Sequence, residues 1–372
     1  MLGFCGKIEV EDMKMCLINN LYPPYARGGA EQVAKTIAES FVSKGDQVVV
    51  LTSAPEQWGT EKLDKLTIHR LPPRNLYFYS DGYKHRLLTR ALWHFFDIFN
   101  VATALKVRKI LIEEKPDVVH THNLMGLSFL IPVVLRRLKI RHIHTVHDVQ
   151  LVEPSGIIWA GKESSWRYNN PLTWLYVQLM KKLMCSPEIV ISSSQFLIDF
   201  YKSRGFFPAS QFKLERNPVS VEKITRPERD SITEFLYLGQ IEKHKGVLFL
   251  ARAFVDLMKK ENNLPCELKI VGKGSMEKEL RDIIGSCPQA RFLGPARREE
   301  IPALLARADV LVAPTLVCEN TPTVVSEAMA CGLPVIVSDA PGASEMVEDG
   351  VTGYVFKCGD TTDLQKKLLF VI

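Results

Sequence analysis

PTLVCENTPTVVSEAMACGLPVIVSD, residues 314–339, follows one short apolar run, DVLVA (309–313), and ends in another, PVIVS (334–338). Between the two runs lie the signals of a helix marked at both ends. Thr321 followed by Pro322 reads as an N-cap and a proline at the first helical position. Gly332 is a stop signal, and Pro334 lies just beyond it. The spacing predicts a helix of about ten residues over Pro322–Cys331. Strand, helix and strand in this order form a parallel βαβ unit, whose helix begins at the ligand-binding end of the sheet. Unpaired N–H groups and the helix dipole favour a phosphate or diphosphate there.

The same alternation extends outward in both directions. Candidate strands are Cys16–Asn19, Gln47–Thr52, Asp117–Thr121, His142–Val146 and Glu188–Ser192, then Phe235–Gly239, Leu268–Val271, Asp309–Ala313 and Pro334–Ser338. Their near-continuous apolarity predicts strands buried on both faces of a parallel sheet. Helical patterns at Ala30–Ser43, Val101–Glu114, Val247–Lys260 and Met276–Ile284 separate them. The stretch NPVSVEKITRPERD, 217–230, has two prolines and few large apolar residues, with a strand pattern on either side. The expected fold class is therefore α/β, with two Rossmann-like doubly wound domains, 1–220 and 221–372, facing each other across a cleft.

Composition bounds the function. A chain of 372 residues with 46% hydrophobic and 24% charged residues is that of an ordinary globular protein, too long for one compact core. The longest nearly apolar run, Leu124–Leu135, is twelve residues, against roughly twenty for a membrane span. The start, MLGFCGKIEVEDMK, lacks the core and cleavage site of a signal peptide, so a cytoplasmic location is expected. Residues 1–12 also read as a product of start-site choice, because Met13 and Met15 open directly onto the first strand. Eight scattered cysteines with no CxxC pair read as reduced thiols. Residues 1–220 carry 28 basic and 20 acidic side chains and residues 221–372 carry 19 and 22, so the surplus of positive charge lies in the first part. No run of five like charges occurs, and no nucleic-acid partner is expected.

Two carboxylates flank the predicted phosphate site. Glu319 precedes the helix and Glu327 lies about 7.5 Å into it. Ionised carboxylates accept paired hydrogen bonds, which suits the vicinal diols of sugars. Glu327 has the apolar neighbours Val325, Ala328 and Met329, where a carboxylate needs a partner. A pairing role on the helix face is the plain alternative to ligand binding.

At these residues the chain resembles the family-4 retaining glycosyltransferases of the GT-B fold. ENTPTVVSE is an E-x7-E motif continued by AMACGLPVIVSD. YPPYARGGAEQ, DVVHTHN, LYLGQIEKHKG, IVGKGSMEKEL and PGASEMVEDGVTGYVF match in order along nearly the whole chain. The resemblance implies that Glu327 holds the ribose hydroxyls of a nucleotide sugar. Glu319 would meet the transferred sugar, beside the backbone of Asn320, Thr321 and Thr323. Lys245 would meet the diphosphate, and Gly28 and Gly29 would let the first loop approach donor closely. Gly272, Gly274 and Phe292 would flank the nucleotide and its base. The first domain would then be acceptor-side and the second nucleotide-sugar-binding. Relatives continue past the last motif with helices that cross back to the first domain. The stop at Ile372 therefore reads as a shortened C-terminus.

Where such enzymes often carry an arginine this chain has Gln240, an amide that bonds a phosphate oxygen without neutralising it. Thr321–Pro322 replaces the usual phenylalanine and glycine after the acidic residue. Charge neutralisation would then fall on Lys245 and the helix. His120 and His122 share a strand face. The resemblance implies that one of them, His122 ahead of His120, contacts a sugar hydroxyl, ahead of a structural role or a metal site. His147 and Asp148 at the next strand end are candidates for the acceptor pocket. No DxD spacing occurs, so transfer without a metal and without a cofactor is expected.

The expected reaction moves a glycosyl unit, a hexose by preference, from a nucleotide diphosphate sugar to a glycan, lipid-linked or small-molecule acceptor. Glu319, Lys245 and His122 serve the reacting groups. The alternatives are a nucleotide-sugar epimerase or phosphorylase on the same architecture, an oxidoreductase, and a non-catalytic nucleotide-sugar-binding subunit. The oxidoreductase rests on a partial GxGxxG at Gly272–Glu277. Finally, Arg74–Phe99 and Trp159–Lys182 mix aromatic and basic residues without a clear period. Core aromatics on irregular helices are the first reading of these segments. A peripheral contact with a membrane or lipid-bearing acceptor is the second.

Overall fold

The computed structural model describes residues 13–26, 28–219, 232–261 and 264–372. Two sheets organise the chain. The first contains β1 (Lys14–Ile18), β2 (Gln47–Ser53), β3 (Gly59–Leu63), β4 (Leu66–Leu71), β5 (Val118–Thr121), β6 (Arg141–Thr145), β7 (Ile189–Ser192) and β8 (Gln211–Leu214). Their order is β3-β4-β2-β1-β5-β6-β7-β8, with β3 antiparallel to β4 and the pairs from β4 to β7 parallel. The second contains β9 (Thr233–Leu238), β10 (Cys266–Val271), β11 (Ala290–Gly294), β12 (Val310–Ala313), β13 (Val335–Ser338) and β14 (Gly353–Phe356). Its order, β11-β10-β9-β12-β13-β14, is parallel throughout.

The apolar runs are explained by burial on both faces. In the second sheet, Phe235, Tyr237, Val310, Val312 and Ile336 enter one core with helix Val247–Lys260. Their strand neighbours Leu236, Leu311, Val335 and Val337 enter another with helix Thr323–Ala330. Successive residues point to opposite faces of a strand, so only a strand covered on both sides needs both to be apolar. In the first sheet Met15, Leu17, Val48, Val50 and Ile68 pack against Ala34 and Ala38 of helix Gly29–Ser43.

Packing divides the chain less simply than its strands do. One compact unit comprises residues up to His147 with Gln178–Ile191 and Lys202–Lys213; the other comprises Asp148–Val177, Ser192–Tyr201 and Leu214–Ile372. Segment 148–177 joins the second unit through backbone bonds: Ala160 N–H donates to Leu316 O at 3.1 Å and Cys318 N–H to Ile158 O at 2.8 Å. Most of the proline-bearing stretch 217–230, from residue 220 on, lies outside the described residues, as do the first twelve residues. Among the described residues no helix is long and apolar enough to cross a membrane.

Candidate active site

The site of the second unit is built from loops at the carboxyl ends of its parallel strands. The chain after β9 carries Gln240 to Lys245, that after β10 carries Gly272 to Ser275, and that after β12 carries Thr315 to Thr321. Their backbones are in contact. Gly239 N–H donates to Val271 O at 3.1 Å, Ile241 N–H to Lys273 O at 2.9 Å, and Leu316 N–H to His244 O at 3.0 Å. A Cβ on Gly272, where φ is +151°, would overlap the Gly239 carbonyl oxygen, and one on Gly274 would overlap the backbone of Ile241. Both glycines are thus required by close loop packing. The Gly274 and Ser275 N–H groups already donate to Glu277 at 3.1 Å and Glu242 at 2.8 Å.

Lys245 and Glu319 meet here. Lys245 Nζ lies 2.6 Å from Glu319 Oε1, which also accepts from Thr315 Oγ1 at 2.8 Å. Burial acts to raise the Glu319 carboxyl. The Lys245 charge and the hydrogen bonds from Lys245 and Thr315 outweigh it and hold the group below its ordinary range. A carboxylate kept ionised with its second oxygen uncommitted to this pair is suited to accept from hydroxyl groups. Burial, then the neighbouring Lys245, keeps His244 neutral.

The following helix is shorter than expected, Thr323–Ala330, with Pro322 as its N-cap. Thr321 does not cap it. Its hydroxyl donates to Ser193 Oγ at 2.6 Å and accepts from Asn217 Nδ2 at 3.1 Å, while Asn320 Oδ1 accepts from Ser192 Oγ at 3.3 Å. These side chains fix the loop ahead of the helix, and competition from the serine pair explains the lost cap. The stop is as expected: Gly332 at φ +65° follows Cys331, and Leu333 N–H donates to Ala328 O at 2.9 Å. Glu327 is buried and paired with Arg298 Nη2 at 2.5 Å, the partner its apolar surroundings require. Arg298 and Thr315 are the site residues that sequence reading missed.

Other candidates fall as follows. Thr323 is the first residue of the helix. The Gln240 carbonyl accepts from the Tyr237 hydroxyl at 2.7 Å. Phe292 packs against the core, with the Arg281 guanidinium 4.5 Å from its ring centre. Asp148 accepts from Gln150 N–H at 2.8 Å, and burial pushes its carboxyl up to about 6.

In the first unit, Gly29 begins its helix, and Gly28 N–H donates to Glu31 Oε2 at 3.0 Å. His120, His122 and His147 come together at the ends of β5 and β6. His122 Nδ1 is 2.8 Å from His147 Nε2, and His120 Nε2 is 2.7 Å from Thr145 Oγ1. Burial, reinforced by the neighbouring histidines, holds His122 neutral. His122 Nε2 is buried with no hydrogen-bond partner among the described residues. Such an atom normally has one. Among the described residues no group of three His, Cys, Asp or Glu is arranged to hold a metal ion.

A family model described as Glycosyltransferase Family 4 matches residues 27–223, and one described as Glycosyl transferases group 1 matches residues 233–372. The chain belongs to glycosyltransferase family 4. A 42.6 kDa protein of the Klebsiella pneumoniae cps region is 27% identical to this glycosyltransferase over 349 residues, 90% of this chain and 87% of that one. A lipopolysaccharide 1,2-N-acetylglucosaminetransferase of Salmonella typhimurium is 32% identical over 188 residues, 44% of this chain and 48% of that one. Among solved structures, sucrose-phosphate synthase of Thermosynechococcus elongatus superposes with a TM-score of 0.73 at 18% identity, covering 96% of this chain and 89% of that one. Anabaena HepE in complex with UDP and glucose gives 0.63 at 19%, with the same coverage. These likenesses place the two parallel-sheet units in the GT-B fold. The sequence and family findings make the protein a sugar-transferring enzyme.

Proposed function

We propose that this glycosyltransferase transfers a hexose from a nucleoside diphosphate sugar to a glycan or lipid-linked acceptor, with retention and without a metal. The observation that carries the reading is the Lys245–Glu319–Thr315 cluster ahead of the Thr323–Ala330 helix. A cation and free helix N–H groups suit a diphosphate, and an ionised carboxylate suits the sugar. Glu327, held by Arg298, is the group for the ribose diol. His122 Nε2 is the first unit's candidate for a sugar hydroxyl. HepE's bound UDP and glucose, and the relative that adds N-acetylglucosamine to lipopolysaccharide, support this class of donor and acceptor.

In the proposed step the bond from the anomeric carbon to the diphosphate oxygen breaks. A bond from the acceptor oxygen to that carbon forms on the same face, and the acceptor's proton passes to the departing diphosphate. Lys245 and the helix N–H groups stabilise the charge that develops on the leaving group. Glu319 and Glu327 bind and do not act as an acid–nucleophile pair. We place the reaction in the cytoplasm. Incubation with a panel of nucleotide sugars and oligosaccharide acceptors in EDTA, read by proton NMR of the new anomeric centre, tests this. An α-linked product from an α-linked donor is expected, and inversion or an absolute need for added metal overturns the reading.

A further inference from the structure

The helix Leu87–Ile98 in the first unit turns its most apolar stripe away from the protein. Leu88, Leu92, Phe95, Phe96 and then Phe99 follow the spacing of one helical face. They are 74%, 47%, 57%, 49% and 39% exposed. The buried side carries Trp93, Asp97 and Ile98. Hydrogen bonds pin that side: Trp93 Nε1 donates to Tyr77 O at 2.8 Å, and Gly126 N–H donates to Asp97 Oδ1 at 2.9 Å. The Tyr77 ring stacks on both His85 and Trp93, with centroids 4.0 and 5.6 Å away. The outward stripe is therefore a fixed feature. The next helix, Val101–Glu114, adds exposed Val101 and Leu105.

Charge accompanies the stripe. Arg74, Lys84, Arg86 and Arg90 are exposed, and Lys106, Arg108 and Lys109 follow. Between Arg74 and Ile112 the acidic residues are Asp81, which pairs with Lys84 at 2.8 Å, and Asp97, which is buried. Lys109 in turn pairs with exposed Glu113 at 3.7 Å, which leaves Arg74, Arg86, Arg90, Lys106 and Arg108 as the surplus of cations. An apolar stripe rimmed by such a surplus is complementary to anionic headgroups over an acyl layer. A second copy fits poorly, because a twofold contact through this face would set its surplus of cations against itself.

We propose that this face docks on the anionic surface of a lipid bilayer. The helix lies in the interface plane, Leu88, Leu92, Phe95 and Phe96 enter the acyl boundary, and Arg86 and Arg90 meet phosphates. This does not depend on the donor chemistry proposed above. The test is flotation of the full chain with vesicles of phosphatidylglycerol and phosphatidylcholine, against phosphatidylcholine alone. Binding to the anionic vesicles is expected, weakening with salt. The double variant Phe95→Ser, Phe96→Ser should lower partition on the order of tenfold or more, because two exposed rings no longer leave water. Arg86→Ser with Arg90→Ser should lower it by about tenfold or more and flatten the salt dependence. Circular dichroism should show all variants folded, since these side chains are exposed. Failure of the parent chain to float with anionic vesicles, or unchanged partition of the Phe95, Phe96 variant, overturns the proposal. So does a dimer of the parent chain that this variant dissolves while neither floats.

Discussion

Replacing Lys245 with alanine removes the cation that touches Glu319 and leaves that carboxylate its hydrogen bond from Thr315. The bond lost is charge-assisted, of a class worth about 1.5–3 kcal/mol. Lys245 is 31% exposed and Glu319 12%, so solvent screens part of the interaction. The expected loss of stability at neutral pH is about 1–2 kcal/mol, below the ~3–5 kcal/mol for breaking a fully buried pair. The loss should shrink in acid, because Lys245 is the largest of the groups that hold Glu319 below its ordinary range, and its contribution goes as the carboxyl takes up a proton. If the same ammonium meets the donor diphosphate, the variant also binds nucleoside diphosphate about 10–100-fold more weakly, one charge-assisted contact's worth. Glu319→Gln separates the two roles. It frees Lys245 from its counter-ion, so diphosphate affinity should hold or rise while sugar transfer falls. Urea unfolding and calorimetric titration on the three proteins read both quantities. A Lys245→Ala protein destabilised as expected, yet binding every nucleoside diphosphate within about twofold of the parent, would refute the argument. Lys245 would then serve only as the counter-ion of Glu319.

Glu327→Gln should weaken a nucleoside diphosphate by about tenfold while leaving inorganic pyrophosphate unchanged, since the carboxylate is assigned to the ribose; equal effects on both in calorimetry would contradict that role. Burial pushes His120 down to about 3 and His142 and His147 to about 4, and His122 and His144 are also lowered. The unfolded chain takes up protons on these groups below pH 6.5 and the folded chain does not. Stability is therefore complete above about pH 6.5 and lost toward pH 4, by up to about 1.4 kcal/mol per pH unit per histidine; a flat urea midpoint through that window counts against the buried cluster. Burial pushes the Asp97 carboxyl up to about 8. Here the folded chain keeps a proton the unfolded chain releases, so stability falls as pH rises from about 4 to about 8. Asp97→Asn should remove that slope, read as a smaller drop in melting temperature between about pH 6 and about pH 8 than in the parent chain.

What was legible in the sequence follows from how burial marks a strand. The nine apolar runs correspond to β1, β2, β5, β6, β7, β9, β10, β12 and β13, each interior to its sheet. The strands that escaped notice include all four sheet edges, β3, β8, β11 and β14. An edge strand is covered less fully and needs no continuous apolar run. GTEKL, the sequence of β3, is exposed throughout. β4 escaped because LTIHRL places His69 and Arg70 inside an otherwise apolar run.

The site divides in the same way. Glu319, Lys245 and Glu327 are readable because they stand at fixed spacings in motifs. Arg298 and Thr315 are not, because the first reaches Glu327 across twenty-nine residues and the second acts through a hydroxyl common in any loop. Thr321 and Pro322 carry a valid local capping signal, overridden when Ser193 and Asn217 supply better partners for the threonine. The aromatic and basic stretch after Arg74 shows a further limit. With no clear period, the sequence marks neither the helix at Leu87–Ile98 nor the face that turns inward, and here Asp97 and Trp93 take the inner side.

The most direct test of the donor site is calorimetric titration of UDP, GDP and ADP into the chain, with EDTA and without added metal. The account predicts a clear preference for one nucleotide under these conditions. A demonstrably folded sample that binds none of them, or binds only once a divalent metal is restored, would contradict it.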